Sequence, residues 1–483
     1  MTRAFRSPRV IGLWLGPLLA GLMLLSPVPE DLSFAAWGTG ALLIWMAVWW
    51  ASEAIPIPAT SLLPLIVLPV LGAASPRTVG AAYGHHIVLL LLGGFIVALG
   101  IERWGLHKRI ALNVVSRVGT APKALIAGFM LATALLSMWI SNTATTLMMV
   151  PIALSAAAVM KDKAGRFTPA LLLGICYAAS IGGVGTPIGT PTNLIALDYL
   201  QQETGAHLGF VQWMAFGIPA VCLLVPAAWW AVTRGLGVMG DSQKARQNVL
   251  EEKQKLGAMR PPERRVALIF ALVAILWVSR LWTIGLLETL GWTTLPLYSG
   301  AQIDMMIAML GAVAMFVVPA GPQEDRPLLN WDEAVKLPWG VLLLFGGGIA
   351  LGNAVRSTGL SAWIGDNLAV LDVLPVIVFI AVVVTLVIFL TELTSNVATM
   401  TTLTPILGGL AVALGVAPSS LLAPAAVAAS CAFMLPVATA PNAVIYATGE
   451  VTIADMMRRG LRVNLIAIIV ITAIGFALAP WVF

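Results

Sequence analysis

The chain has 483 residues, of which 59% are apolar and 10% charged, against about 25% charged in a soluble domain. Its formal charge of +5 comes from basic residues in short loops between apolar runs. Such residues orient a membrane protein and are no footprint for nucleic acid. The sequence has no nucleophile elbow and no glycine-rich nucleotide loop, and the lack of the latter excludes an ATP-driven pump within this chain.

A spanning helix needs about 20 apolar residues. Runs of that kind fall at 9–27, 35–54, 59–74, 86–102, 167–200, 209–233, 266–290, 303–319, 338–355, 422–449 and 463–482. Arg3, Arg6 and Arg9 precede the first run. That pattern also fits a signal peptide, but a near-full span length favours a first transmembrane helix. Trp49, Trp50, Trp229 and Trp230 sit where interface anchors are expected, and Glu53 and Asp198 read as interfacial carboxylates.

Two apolar stretches, 121–160 and 370–415, are about twice the span length at 1.5 Å per residue. The first is flanked by Arg103, Lys108, Arg109, Arg117 and Lys123 on one side and by Lys161, Lys163 and Arg166 on the other. Two basic ends belong on the cytoplasmic face. The stretch therefore enters and returns as a re-entrant hairpin broken near Ser141, Asn142 and Thr143, which is tolerated only where backbone is buried or lines a cavity. Counting onward from a cytoplasmic N-terminus gives about eleven spans and two hairpins, with the C-terminus outside. The segment 201–208 then faces outward, and the loop 234–265, with eight Lys/Arg and four Asp/Glu, faces the cytoplasm.

An internal repeat accompanies this pattern. Residues 91–100 read LLGGFIVALG and residues 343–352 read LLFGGGIALG. SNTATTLMMVPI at 141–152 matches SNVATMTTLTPI at 395–406, and GTPTN at 189–193 matches ATAPN at 438–442. An odd number of predicted spans separates the equivalents, so the halves run in opposite directions, as in many secondary transporters. The organisation is scaffold helices over 1–85, a first repeat over 86–233, a cytoplasmic linker at 234–265, scaffold helices over 266–337 that open the second repeat, and the rest of that repeat over 338–483.

The polar residues that interrupt apolar runs are the candidates for chemistry. They are Ser137, Ser141, Asn142, Thr143, Thr145 and Thr146, then Thr186, Gly189, Thr190, Thr192 and Asn193 in the first half. In the second they are Thr391, Thr394, Ser395, Asn396 and Thr399, then Thr439 and Asn442. Gly185, Pro187, Pro191, Pro436 and Pro441 free backbone groups beside them. Freed carbonyls suit sodium, and helix N-termini with hydroxyls and amides suit a carboxylate. Lone Ser or Thr residues more often glue helices together; four clusters in repeat-related pairs favour a site.

Neither hairpin tip nor either GTPTN/ATAPN segment holds Arg, Lys or His. A dianion in low dielectric needs compensating charge, so bound cations plus helix dipoles must supply it. That favours cation-coupled symport over exchange without excluding the latter. Glu392, beside the second tip, is either an ion or proton site or a residue at a water-filled entrance. Cys176, Cys222 and Cys431 read as packing residues, and His85, His86, His107 and His207 include no pair at helical metal-ligand spacing.

LSMWISNTATT at 136–146, TELTSNVATMTT at 391–402, ASIGGVGTPIGTPTN at 179–193 and FMLPVATAPN at 433–442 resemble the signature elements of the divalent anion/sodium symporters, the INDY-type di- and tricarboxylate carriers. The resemblance runs from about residue 35 to the end. It implies an all-α polytopic homodimer whose transport domain moves substrate by an elevator motion, with sodium as coupling ion and no other cofactor; compact loops and no organellar signal make a bacterial cytoplasmic membrane the expected location. Carried over by motif, one sodium site uses Ser137, Ser141, Asn142 and Gly189, and a second uses Thr391, Thr394, Asn396 and Ala438. The anion lies between Ser141, Asn142, Thr143 and Thr190 on one side and Ser395, Asn396 and Thr439 on the other. Val397 departs from the family's usual Thr, and Ala440 stands where many members have proline; both bear on substrate choice. Sodium-driven dicarboxylate symport, sodium-independent dicarboxylate or tricarboxylate exchange, and sulfate transport all fit these donors. A channel fits poorly with broken inverted repeats, and an intramembrane enzyme lacks a catalytic His/Asp/Glu cluster.

The topology predicts that a cysteine placed within 201–208 reacts with an impermeant thiol reagent in intact cells, whereas one within 241–260 does not. The reverse labelling pattern would overturn the assigned orientation.

Overall fold

The computed structural model describes residues 8–118, 121–158, 165–204, 208–236, 243–291, 298, 300–322, 324–368 and 375–483. The hairpin ends at 159–160 and 370–374, the loop positions 205–207, the linker positions 237–242, and Arg3, Arg6, Lys161, Lys163 and His207 lie outside these residues.

Apart from a ribbon in which Pro319–Gly321 pairs antiparallel with Glu324–Pro327, the described chain is helical. Among the described residues, seven helices are long and apolar enough to cross a membrane, or eight if one bent pair counts as a single span. Shorter apolar helices fill the rest, because several of the expected spans are interrupted. The run expected at 59–74 becomes Ile57–Thr60 and Pro64–Val70, with prolines at both starts and Pro69 inside. The stretch 121–160 becomes Pro122–Ser137 and Asn142–Ala158, and 370–415 becomes Val376–Thr391 and Asn396–Ala413. The runs expected at 167–200 and 422–449 each split as well, into Phe167–Gly183 with Pro191–Thr204 and into Ser419–Ala429 with Ala440–Ala447.

Two packing groups frame these broken elements. Helix His86–Arg103 lies against Gly300–Val317. A Cβ on Gly93 would stand 2.7 Å from that of Ala308, so the contact needs glycine, as close helix pairs in membranes commonly do. Helix Trp339–Ser357 joins Phe34–Ser52 in a second apolar core that contains Leu42, Met46, Leu68 and Leu351. Trp50 belongs to this core at 1% exposure, which corrects its reading as an interface anchor: its helix turns that face toward protein, not toward lipid headgroups. Trp230, by contrast, is exposed. In the linker, Gln243–Lys255 is a helix packed on Leu106–Arg117 and Asn142–Ala158. Arg109 secures its end by binding Glu263 and donating to the Gly257 carbonyl at 3.0 Å.

The run expected as one helix over 266–290 is bent by 79° between Pro261–Val278 and Arg280–Thr289. Charge explains the bend. Arg280 turns inward and donates to Asp304 at 2.8 Å, with both side chains buried. Asp304 also accepts the Phe210 N–H at 3.0 Å, and its carbonyl accepts the Trp277 indole N–H at 3.0 Å. Gly209 leaves the guanidinium its space: a Cβ there would stand 1.9 Å from Arg280 Nη1. One ion pair thereby ties three helices together.

Removing one partner strands a buried charge, at a cost of about 3–5 kcal/mol. Asp304→Leu should lower the unfolding midpoint of the detergent-purified protein sharply. Arg280→Met combined with Asp304→Leu should recover most of the loss. Additive loss in the double variant would show that the pairing is not what the single variant removed.

Candidate substrate and ion site

Each broken helix stops at a proline-containing segment. A helical Gly183 carbonyl would accept from residue 187, but Pro187 has no N–H; the same holds for Ala432 and Pro436. In both places an asparagine further along supplies the missing donor. Asn193 Nδ2 donates to the carbonyls of Gly183 at 2.9 Å and Thr186 at 2.8 Å. Asn442 Nδ2 donates to those of Ala432 at 3.0 Å and Leu435 at 2.8 Å. Both asparagines are fully buried. They are therefore struts of the unwound segments.

The hairpin tips show a second matched set. Ser137 Oγ lies 2.6 Å from Asn142 Oδ1 and 2.7 Å from the Ala179 carbonyl oxygen, with its one proton shared between these acceptors. Thr391 Oγ1 lies likewise 2.7 Å from Asn396 Oδ1 and 3.0 Å from the Ala429 carbonyl oxygen. Each tip asparagine opens the second hairpin helix while its side chain is held back toward the end of the first. Each hairpin is thereby hydrogen-bonded to the broken helix that follows it in sequence.

The first cluster converges. A Cβ on Gly183 would lie 2.6 Å from Asn142 Oδ1 and 3.0 Å from the Gly189 carbonyl oxygen, so both acceptors border the same glycine. Ser141 caps Asn142–Ala158 by accepting the Ala144 N–H at 3.2 Å, and its side chain is exposed. Asn142 and Thr143 are half-buried beside it, and Thr190 is buried. In the second cluster Ser395 and Asn396 are half-buried and Ala438 is buried in the unwound segment. Thr439 caps Ala440–Ala447 through the Asn442 N–H at 3.3 Å. Thr394 is drawn elsewhere, donating to the Leu390 carbonyl at 2.9 Å and lying 2.6 Å from Thr399 Oγ1.

The two clusters are joined. Thr192 Oγ1 is 3.1 Å from Ser430 Oγ, and Cys176 Sγ donates to Asn442 Oδ1 at 2.8 Å. Pro191–Thr204 packs on Asn396–Ala413, and Ala440–Ala447 packs on Asn142–Ala158. The second piece of each broken helix thus meets the opposite hairpin. Four helices begin at the breaks, at Asn142, Pro191, Asn396 and Ala440. No cationic side chain lies in those breaks. N-terminal N–H groups favour anions, and facing carbonyl and amide oxygens favour a hard cation such as sodium.

Glu392, open to two readings from sequence, is 3% exposed. Its Oε1 accepts from the N–H groups of Phe433 at 2.8 Å and Met434 at 2.9 Å and from Asn464 Nδ2 at 2.8 Å. Its Oε2 accepts from the Met434 and Leu435 N–H groups at 3.0 and 3.1 Å. Those bonds engage both oxygens, so the carboxylate closes the second unwound segment onto the hairpin tip. At the corresponding place in the first half the Met138 carbonyl accepts from the Thr186 hydroxyl. Sequence reasoning missed Ser430 and Asn464. The first was signalled by the AAS triplet at 178–180 and again at 428–430; the second, one asparagine in an apolar run, carried no signal. Asp198, read as interfacial, is buried at 6% exposure.

Apolar spans, interrupted apolar helices and a cation-free polar centre are the features of a membrane transporter. The model of the sodium:sulfate symporter transmembrane region matches residues 10–483, and the chain belongs to that family. It is 40% identical to a protein of Staphylococcus saprophyticus named sodium-dependent dicarboxylate transporter SdcS, over 99% of this chain and 93% of that one. It is likewise 40% identical to SdcS of Staphylococcus aureus, over 99% and 92%. Among solved structures, the Neisseria gonorrhoeae MtrF protein matches with a TM-score of 0.58 at 15% identity, covering 96% of this chain and 98% of that one. The Alcanivorax borkumensis YdaH transporter matches with a TM-score of 0.56 at 14% identity, covering 98% and 97%. At such identity these two likenesses concern the fold alone.

Asn193→Asp and Asn442→Asp keep the side-chain shape but remove the donor, leaving two buried carbonyls unbonded. Each unmade bond costs about 1–3 kcal/mol. Both variants should melt several degrees below wild type in detergent. Unchanged melting would mean that the asparagines do not hold the unwound segments.

Proposed function

We propose that this protein moves dicarboxylate anions of the succinate, malate and fumarate class across the membrane by sodium symport. The observation that carries the proposal is the polar centre without a cationic side chain, where four helix N-termini meet carbonyl and amide oxygens. Such a centre binds a dianion well only when cations enter with it, because fixed partial charges alone leave most of the dianion's charge uncompensated. The SdcS relatives are named sodium-dependent dicarboxylate transporters, which supports this reading.

In this reading Ser137, Ser141, Asn142 and Gly189 hold one sodium, and Thr391, Thr394, Asn396 and Ala438 hold a second. The anion's carboxylates lie between Ser141, Asn142, Thr143 and Thr190 and their counterparts Ser395, Asn396 and Thr439. That Asn142 Oδ1 and the Gly189 carbonyl oxygen border the same glycine supports the first set most directly. The diversion of Thr394 to Thr399 leaves the second set to form when the ion binds. The matched bonds at Ser137 and Thr391, and at Asn193 and Asn442, support an inverted repeat. On that repeat we build an elevator-type homodimer of eleven spans and two re-entrant hairpins in a bacterial cytoplasmic membrane, N-terminus inside and C-terminus outside.

Uptake of labelled succinate into proteoliposomes should require an inward sodium gradient and no internal anion. Asn142→Ala and Asn396→Ala should each abolish it while the protein remains folded and inserted. Uptake that ignores sodium and needs internal succinate would make the protein an exchanger and remove both sodium sites. Competition by citrate or sulfate in preference to succinate would move the substrate class.

A further inference from the structure

We infer that His85, His86 and Asp198 form a binding site for a divalent transition-metal ion of the zinc type, apart from the polar centre described above. One ligand atom from each residue can be chosen so that all three lie within 4.8 Å of one another. The imidazoles stand with ring centroids 4.0 Å apart, too close for both to carry charge comfortably. Buried His85 Nδ1 and His86 Nε2 have no hydrogen-bond partner among the described residues. His85 Nδ1 is 3.7 Å from Asp198 Oδ1, beyond hydrogen-bond reach but close to the roughly 3.4 Å edge of a tetrahedron with zinc bonds of about 2.0–2.1 Å.

The carboxylate is already oriented. Gln202 Nε2 donates to Asp198 Oδ2 at 2.9 Å, and Gln202 Oε1 accepts from Arg356. That leaves Oδ1 for the histidines, the outer-shell arrangement that fixes a metal ligand. Two imidazole nitrogens and one carboxylate oxygen suit zinc and its neighbours; calcium and magnesium prefer all-oxygen sites.

The ligands come from elements that otherwise pack apart. His85 and His86 begin the helix that lies on Gly300–Val317, whereas Asp198 is on Pro191–Thr204, which lies on Asn396–Ala413 and Ser419–Ala429. A bound ion therefore pins one group of helices to the other. If the second group moves during transport, which rests on the elevator reading above, zinc arrests the cycle.

The test begins with binding. Zinc chloride titrated calorimetrically into the chelator-treated, full-length protein in detergent should give one site per chain. His85→Gln, His86→Gln and Asp198→Asn should each weaken it by at least about tenfold, and Gln202→Leu by roughly tenfold. Calcium and magnesium should give no comparable signal. Absence of zinc binding by wild type, or equal affinity in the three ligand variants, would overturn the site; their melting temperatures without zinc separate loss of ligand from loss of fold. In proteoliposomes, zinc on both faces should slow succinate uptake by wild type and not by His85→Gln. Zinc that binds at these residues without slowing uptake would refute the arrest and leave the site standing. Succinate uptake absent with or without zinc would count against the dicarboxylate reading alone.

Discussion

A backbone that unwinds inside a membrane exposes N–H and C=O groups to a medium that cannot satisfy them. The rest of this structure depends on how that requirement is met. Pro187 and Pro436 each remove a donor, and Asn193 and Asn442 each return one from a position six residues further along the chain. The result is a segment that is not helical and yet is fixed. Ser137 and Thr391 then bind the hairpin tips to the broken helices through the carbonyls of Ala179 and Ala429. Without those struts the polar centre would be a loose loop, and its oxygens would have no defined geometry to offer.

Charge is divided in the same disciplined way. The polar centre holds no acidic or basic side chain except Glu392, whose carboxyl group faces backbone N–H groups of the unwound segment and the Asn464 amide. A group satisfied so completely adds rigidity and presents little free acceptor capacity to solutes. The two halves solve one problem by different means: a hydroxyl to a carbonyl between Thr186 and Met138, and a carboxylate to three consecutive N–H groups in the second half. The second solution draws on the positive end of an unwound turn, where a buried anion is well placed.

Away from the centre, close approach and ion pairing hold the frame. Gly93 lets two long helices touch along their backbones, and the Arg280–Asp304 pair joins the bent helix, the start of Phe210–Thr233 and Gly300–Val317. These contacts lie mostly within one packing group. The broken helices pack on one another and also on Leu106–Arg117, Phe210–Thr233, Leu360–Leu368 and Ile453–Val482.

The sequence by itself determined the class and the location of the working parts. Apolar run lengths named a membrane protein, overlong runs located two of the interrupted helices, and Ser-Asn-Thr and proline-bearing motifs marked the breaks, since composition and proline chemistry act locally. Short-range signals could not say where a side chain turns. Tertiary structure decided that Glu392 and the two strut asparagines serve backbone groups, that Trp50 is core, that Arg280 bends its helix to reach Asp304, and that Asp198 meets two histidines from far along the chain. The physical reason is common to all of these. A buried polar group takes whatever partner the packing of distant helices brings within about 3 Å, and no local pattern records which partner that is.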